Sequence, residues 1–133
     1  MSDHSDRSDP KTLDLLQGTL DVLILRTLAR EPMHGYAVSR SIRERTGGTL
    51  EVQDAALYQA LRRMEHKGWV EAEWGLSESR RRARFYRLTE AGRGRLEHDV
   101  AAWRRYAAAV FQVLEPLGSL EPGGPAEPAG AEA

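Results

Sequence analysis

The sequence predicts a mainly α chain with one small β-hairpin, and three observations carry that expectation. Apolar residues recur at helical spacing in four stretches, two short runs near residues 69–74 and 83–88 alternate with a period of two, and glycine or proline marks the boundaries between them. The organisation expected of the 133 residues is a structureless arm over 1–12, a compact domain over 13–88, a long helix over 89–115 and a Pro/Gly/Ala/Glu tail over 116–133.

The arm is polar, charged and aperiodic, so it has nothing to bury. Leu16, Leu20, Leu23, Ile24, Thr27 and Leu28 then form the wide apolar face of a first helix, which cannot continue through Pro32. Burying each leucine contributes roughly 1.5–3 kcal/mol, so this helix is read as core. His34-Gly35-Tyr36 leads into a second short helix carrying Val38 and Ile42, stopped by Gly47 and Gly48. Tyr36 stands where its hydroxyl can reach a phosphate; the equal alternative is a core tyrosine with its hydroxyl at the rim.

The third helix, from Gln53 to Lys67, is the most informative stretch. Leu57, Ala60, Leu61 and Met64 share one face, while Tyr58, Gln59, Arg62, Arg63 and His66 occupy the other. Gln53 and Asp54 suit its N-terminal donors, and Gly68 ends it. Val70, Ala72 and Trp74 alternate with Trp69, Glu71 and Glu73, and Arg84, Tyr86 and Leu88 alternate with Ala83, Phe85 and Arg87. Two strands are expected, joined by GLSESRRR, in which Gly75 can take a positive φ and Ser77 and Ser79 can bond the turn backbone.

Two short helices, a preceding long helix and a hairpin with a cationic tip make a winged helix-turn-helix. The major groove of duplex DNA admits a helix, and arginines beside it reach phosphates or the minor groove. Tyr36, Gln53, Tyr58, Gln59, Arg62 and Arg63, with Ser79, Arg80, Arg81 and Arg82 of the turn, are therefore the candidate DNA contacts. The plainer reading of the arginines is a solvated turn, and it is the helix before them that tips the balance.

Thr89 can cap the last helix. Leu96, Val100, Trp103, Ala107, Val110 and Leu114 follow at spacings of 4, 3, 4, 3 and 4, the pattern of a helix–helix seam. Its most economical partner is the same helix of a second copy; the alternative is the chain's own first helix. The seam makes this a dimerisation helix.

Composition narrows the classes. Lys and Arg total 19 against 20 Asp and Glu, close to balance, but residues 75–87 hold five arginines and one glutamate. That local field can bind phosphate without a basic chain. The absence of cysteine removes disulfides, zinc fingers and thiol chemistry, and no secretory pattern opens the chain, so a cytoplasmic protein away from the membrane is expected. His4, His34, His66 and His98 are scattered, no nucleophile has a partner at telling spacing and no phosphate loop occurs, so neither an enzyme nor a cofactor or metal is expected.

The series GTLD (18–21), HGY (34–36), ALY (56–58), GWVEAEW (68–74), RRARFYRLT (81–89) and TEAGR (89–93) resembles the PadR family of bacterial winged-helix transcriptional regulators, especially its short branch with one C-terminal helix. The resemblance spans residues 13–115. It implies a homodimer on a pseudo-palindromic operator, usually repressing and released by a small molecule, with recognition by residues 53–67 and a wing over 75–82. Relatives often carry a small hydroxyl or glycine, and a proline, where this chain has Ala55 and Gln59. Ala55 thus joins the DNA candidates, and Gln59 suits adenine. In some short relatives a tryptophan on the last helix lines a cavity between protomers; Trp103 matches it, with Tyr106 nearby, which implies a site for a planar aromatic effector. The plainer reading, which the seam spacing favours because it explains the residue without a ligand, is that Trp103 simply fills the interface. The rival function is a winged-helix module for protein contacts with no specific operator, favoured if Trp69 and Trp74 are exposed together and disfavoured if Trp74 is buried against Val70 and Tyr86.

Overall fold

The computed structural model describes residues 18–115. The elements run α1 (Leu20–Leu28), β1 (Met33–His34), α2 (Gly35–Arg45), α3 (Asp54–His66), β2 (Val70–Leu76), β3 (Arg82–Leu88) and α4 (Glu90–Leu114). The expected arm, Leu16 and the tail lie outside the described residues. Residues fall into two compact units, one reaching Asp99 and the other starting at Val100.

In the first unit three helices close over a common core, to which α1 gives Val22, Ile24, Leu25 and Leu28, α2 gives Val38 and Ile42, and α3 gives Leu57, Ala60, Leu61 and Met64. The α3 face is the one its spacing predicts. In α1 the buried set is broader: Val22 and Leu25 are covered and Leu20 and Leu23 only half so. The reason is that α1 touches α2, α3 and β3, so no single stripe describes its contacts. Buried Thr27 donates its hydroxyl to the Leu23 carbonyl at 2.7 Å, which removes the cost of an unpaired polar group.

The two alternating runs pair antiparallel as a hairpin, in a register that runs from Val70 opposite Leu88 to Leu76 opposite Arg82. A third strand has no counterpart in the sequence pattern: β1 pairs with β3, Met33 opposite Tyr86 and His34 opposite Phe85, giving the sheet order β1-β3-β2. This strand ties the start of α2 to the wing. His34 then caps α2, its Nδ1 accepting from the Ala37 amide at 3.3 Å.

Glycine and threonine set the remaining joints. Gly68, at φ +82°, closes α3 with its amide bonded to the Glu65 carbonyl and the Trp69 amide to that of Met64, the paired bonds of a Schellman motif. At the other end of α3 the expected amide cap is absent, since Gln53 supplies only the extended backbone of the cap position. Thr89 caps α4 as predicted, accepting from the Gly92 amide at 3.0 Å while its hydroxyl reaches the Gly68 and Trp69 carbonyls. Gly92 fits because a Cβ there would lie 2.1 Å from the Trp69 carbonyl oxygen.

The hairpin turn corrects another expectation. Gly75 is a strand residue opposite Ala83, and the left-handed position belongs to Arg80 at φ +65°. A Cβ on Gly75 would press within 3.1 Å of the Phe85 ring, which is what the glycine relieves. Around the turn, Ser77 and Arg80–Arg81 exchange backbone bonds, and the Ser77 hydroxyl oxygen accepts from the Arg81 amide at 3.3 Å.

Within the second unit the helix displays an apolar stripe. Trp103 is 40 % exposed, Val110 37 % and Tyr106 61 %, and Leu114 is exposed too, together with Phe111 and Val113. Ala107 and Val100 are half-covered. Leu96, the first residue of the expected seam, is already buried at 8 % exposure in the first unit, so the stripe open to a partner starts further along.

Candidate nucleic-acid interface

A cleft of about 960 Å³ opens between the start of α2, one flank of α3 and the wing. Its walls carry Arg40, Arg62, Arg81, Arg82 and Arg84 against Glu65 and Glu78, so five guanidinium groups face two carboxylates. Arg84 is engaged by Glu65 at 2.9 Å, and among the described residues no carboxylate pairs with Arg62, Arg81 or Arg82. Excess positive charge in a concave wall focuses its field outward, which suits a polyanion.

The helical period sorts the polar residues of α3. Ala55, Gln59, Arg62 and His66 lie opposite the core, all exposed, with Tyr58 and Glu65 on the flank toward the wing. Arg63 falls on the other flank and forms two bonds to the Asp21 carboxylate, at 2.6 and 2.7 Å, fastening α3 to α1. The candidates Tyr36, Tyr58, Arg62, Ser79, Arg81 and Arg82 thus meet in one cleft, whereas Gln53, Ala55, Gln59, Arg63 and Arg80 do not line it. Gln53, Ala55 and Gln59 are nonetheless exposed along α3.

Tyr58 explains the glycine of HGY. A Cβ on Gly35 would lie 2.6 Å from the Tyr58 ring and hydroxyl, so only glycine lets the phenol lie across the start of α2. Partial burial, and then the neighbouring Asp54 carboxylate and Tyr86, raise its pKa above the ordinary value. The phenol therefore stays protonated near neutral pH, able to donate to a phosphate or a base. Tyr36 is 61 % exposed, which removes it from the core, and its ring stacks on His34 and carries the Arg40 guanidinium at 5.3 Å.

Three cleft residues escape the sequence reading. Arg40 is one exposed cation on a short helix, and only the fold brings it to the wing. Arg84 reads as a strand residue, but its guanidinium crosses to Glu65 of α3. Trp74, whose exposure the alternation leaves open, is 58 % exposed at the cleft edge with Arg82 above it at 4.7 Å. Trp69 is half-buried between Lys67 and Arg95, so the two indoles are not exposed together. Among the described residues no group of acidic, histidine or cysteine side chains is arranged to hold a metal, and no helix is long and apolar enough to cross a membrane.

Known proteins resemble this chain in sequence and in fold. An uncharacterized protein of Lysinibacillus sphaericus is 30 % identical over 104 residues, covering 78 % of this chain and 95 % of its own. The crystal structure of a PadR family transcriptional regulator from Eggerthella lenta is 32 % identical with a TM-score of 0.64, over 74 % of this chain and 84 % of that one. One from Clostridium difficile is 29 % identical with a TM-score of 0.62, over 71 % and 97 %. The sequence pattern of the transcriptional regulator PadR-like family matches residues 24–98, which span α2, α3, the wing and the cap of α4. With the pattern covering more than half the chain and the cleft built from the elements it matches, the chain belongs to the PadR-like family of DNA-binding transcriptional regulators.

Proposed function

We propose that the chain is a sequence-specific homodimeric repressor of a pseudo-palindromic operator. In this reading α3 enters the major groove with Ala55, Tyr58, Gln59 and Arg62 toward base edges, while Arg81 and Arg82, with Tyr36, Gln53 and Ser79, meet the flanking backbone. The single observation that carries it is the cleft between α3 and the wing, where Arg62, Arg81 and Arg82 have no carboxylate partner among the described residues. Arg63 contributes only by exchanging Asp21 for a phosphate, and Arg80 acts from outside the cleft wall. Two copies pair through Val100, Trp103, Ala107, Val110 and Leu114, behind the buried Leu96, and a planar aromatic effector held by Trp103 and Tyr106 releases the DNA. The exposed apolar stripe supports that part.

The test separates base reading from charge. Gln59→Ala should lose roughly 1–3 kcal/mol of discrimination between the selected and a scrambled duplex, with little change on the scrambled one. Arg81→Ala should weaken both duplexes alike and lower the log–log salt slope by about 1. Equal weakening of all duplexes by Gln59→Ala would remove it as a base reader.

A further inference from the structure

Trp74 is large, apolar and exposed at the edge of a charged cleft, and neither the core nor base recognition by α3 uses it. Along β2, burial falls from Val70 at 1 % exposure through half-covered Ala72 to exposed Trp74 and Leu76. The indole therefore adds nothing to the hydrophobic core and costs exposed apolar surface. What it does have is the Arg82 guanidinium 4.7 Å above its ring, reached diagonally across the strand pair, since Trp74 lies opposite Arg84 and Arg82 opposite Leu76.

The two arginines of β3 at the cleft are held in opposite ways. Arg84 is bonded to Glu65, so a large share of its charge is answered inside the protein. Arg82 rests on a ring and has no carboxylate partner among the described residues. A π face orients a cation without neutralising it, because the attraction comes from the ring quadrupole rather than from an opposite charge. A guanidinium so placed keeps its full charge and its edge donors for an oxygen anion, and the rotamer freedom it would lose on binding is already reduced.

We infer that Trp74 is a positioning residue for DNA binding: it holds Arg82 in the orientation that meets a backbone phosphate on the wing side of the cleft. The inference rests on the DNA reading given above. It assigns Trp74 no contact with a base, so its loss acts equally on every sequence. It also predicts that Trp74 contributes only through Arg82.

The experiment uses the full chain and a labelled duplex of about 30 base pairs, three helical turns, enriched by the wild-type chain from a random-sequence pool. Affinity is measured by anisotropy across a range of salt concentrations for wild type, Trp74→Ala, Trp74→Phe, Arg82→Gln and the Trp74→Ala/Arg82→Gln pair. Trp74→Ala should weaken binding about threefold to tenfold with the salt slope unchanged, because no charge has been removed. Arg82→Gln should weaken binding and lower the slope by about 0.9 for each phosphate that the guanidinium no longer neutralises. The paired variant should bind no worse than Arg82→Gln alone, and Trp74→Phe, which keeps a weaker ring, should fall between wild type and Trp74→Ala. Wild-type affinity in Trp74→Ala, a fall in its slope, or additive losses in the paired variant would each overturn the inference. Failure of the wild-type chain to enrich any duplex would instead end the DNA reading on which it stands.

Discussion

At the scale of single residues, two glycines two positions apart in one helix differ in the room around them. A Cβ at Gly92 would meet the Trp69 carbonyl oxygen at 2.1 Å and the Leu88 Cδ1 at 2.7 Å, whereas one at Gly94 meets nothing within 4 Å. Gly92→Ala should therefore destabilise the chain by about 2–3 kcal/mol through overpacking against backbone, and Gly94→Ala should stabilise it by up to about 1 kcal/mol through helix propensity. Urea unfolding of the two variants checks both signs at once, and equal effects would refute the close packing of α4 on Trp69. Much at this scale is legible in the sequence: the buried set of α3 follows from spacing, because its four buried residues all lie on one face of the helix. Arg40 and the exposed Trp74 are not. Alternation assigns a strand residue to a face, but how far that face stays covered depends on where the packed helices end, which no local pattern records.

At the scale of elements, one side chain bonds to both sides of the junction between the end of α3 and the start of α4. The Thr89 hydroxyl accepts from the Gly92 amide and reaches back to Gly68 and Trp69, so the cap of one helix is also a tie to the end of another. Thr89→Ala should cost about 1–2 kcal/mol, the upper part of the range for removed caps, and Thr89→Ser should recover most of it; a loss below a few tenths would mean that water replaces the cap freely. The cap itself is readable in the sequence because it is local. The β1 strand is not, since two residues carry no periodicity and exist as a strand only because β3 offers its outer edge. The same holds for the Asp21–Arg63 pair, which joins residues 42 apart in the chain.

At the scale of the whole molecule, the family and the fold are established by the matched pattern and the sheet-and-helix architecture, while dimerisation and regulation are proposed from what the last helix displays. Val110 is 37 % exposed within the single chain, so a glutamate there should cost the isolated protomer little. In a pairing seam the same substitution buries an unpaired charge, and Val110→Glu should shift the chain from dimer to monomer in sedimentation at micromolar concentration. An unaltered dimer would move the seam elsewhere.

The central claim is that two copies present α3 to successive major-groove faces with the wing arginines on the adjoining backbone, and footprinting of the full chain on a fragment selected from its source genome tests it most directly. The account predicts two protected half-sites related by a dyad, their centres about one helical turn or a whole multiple of it apart, each bordered by protected backbone that Arg81→Ala and Arg82→Gln thin out. A single protected patch without a dyad, or no protection at low salt, would contradict it.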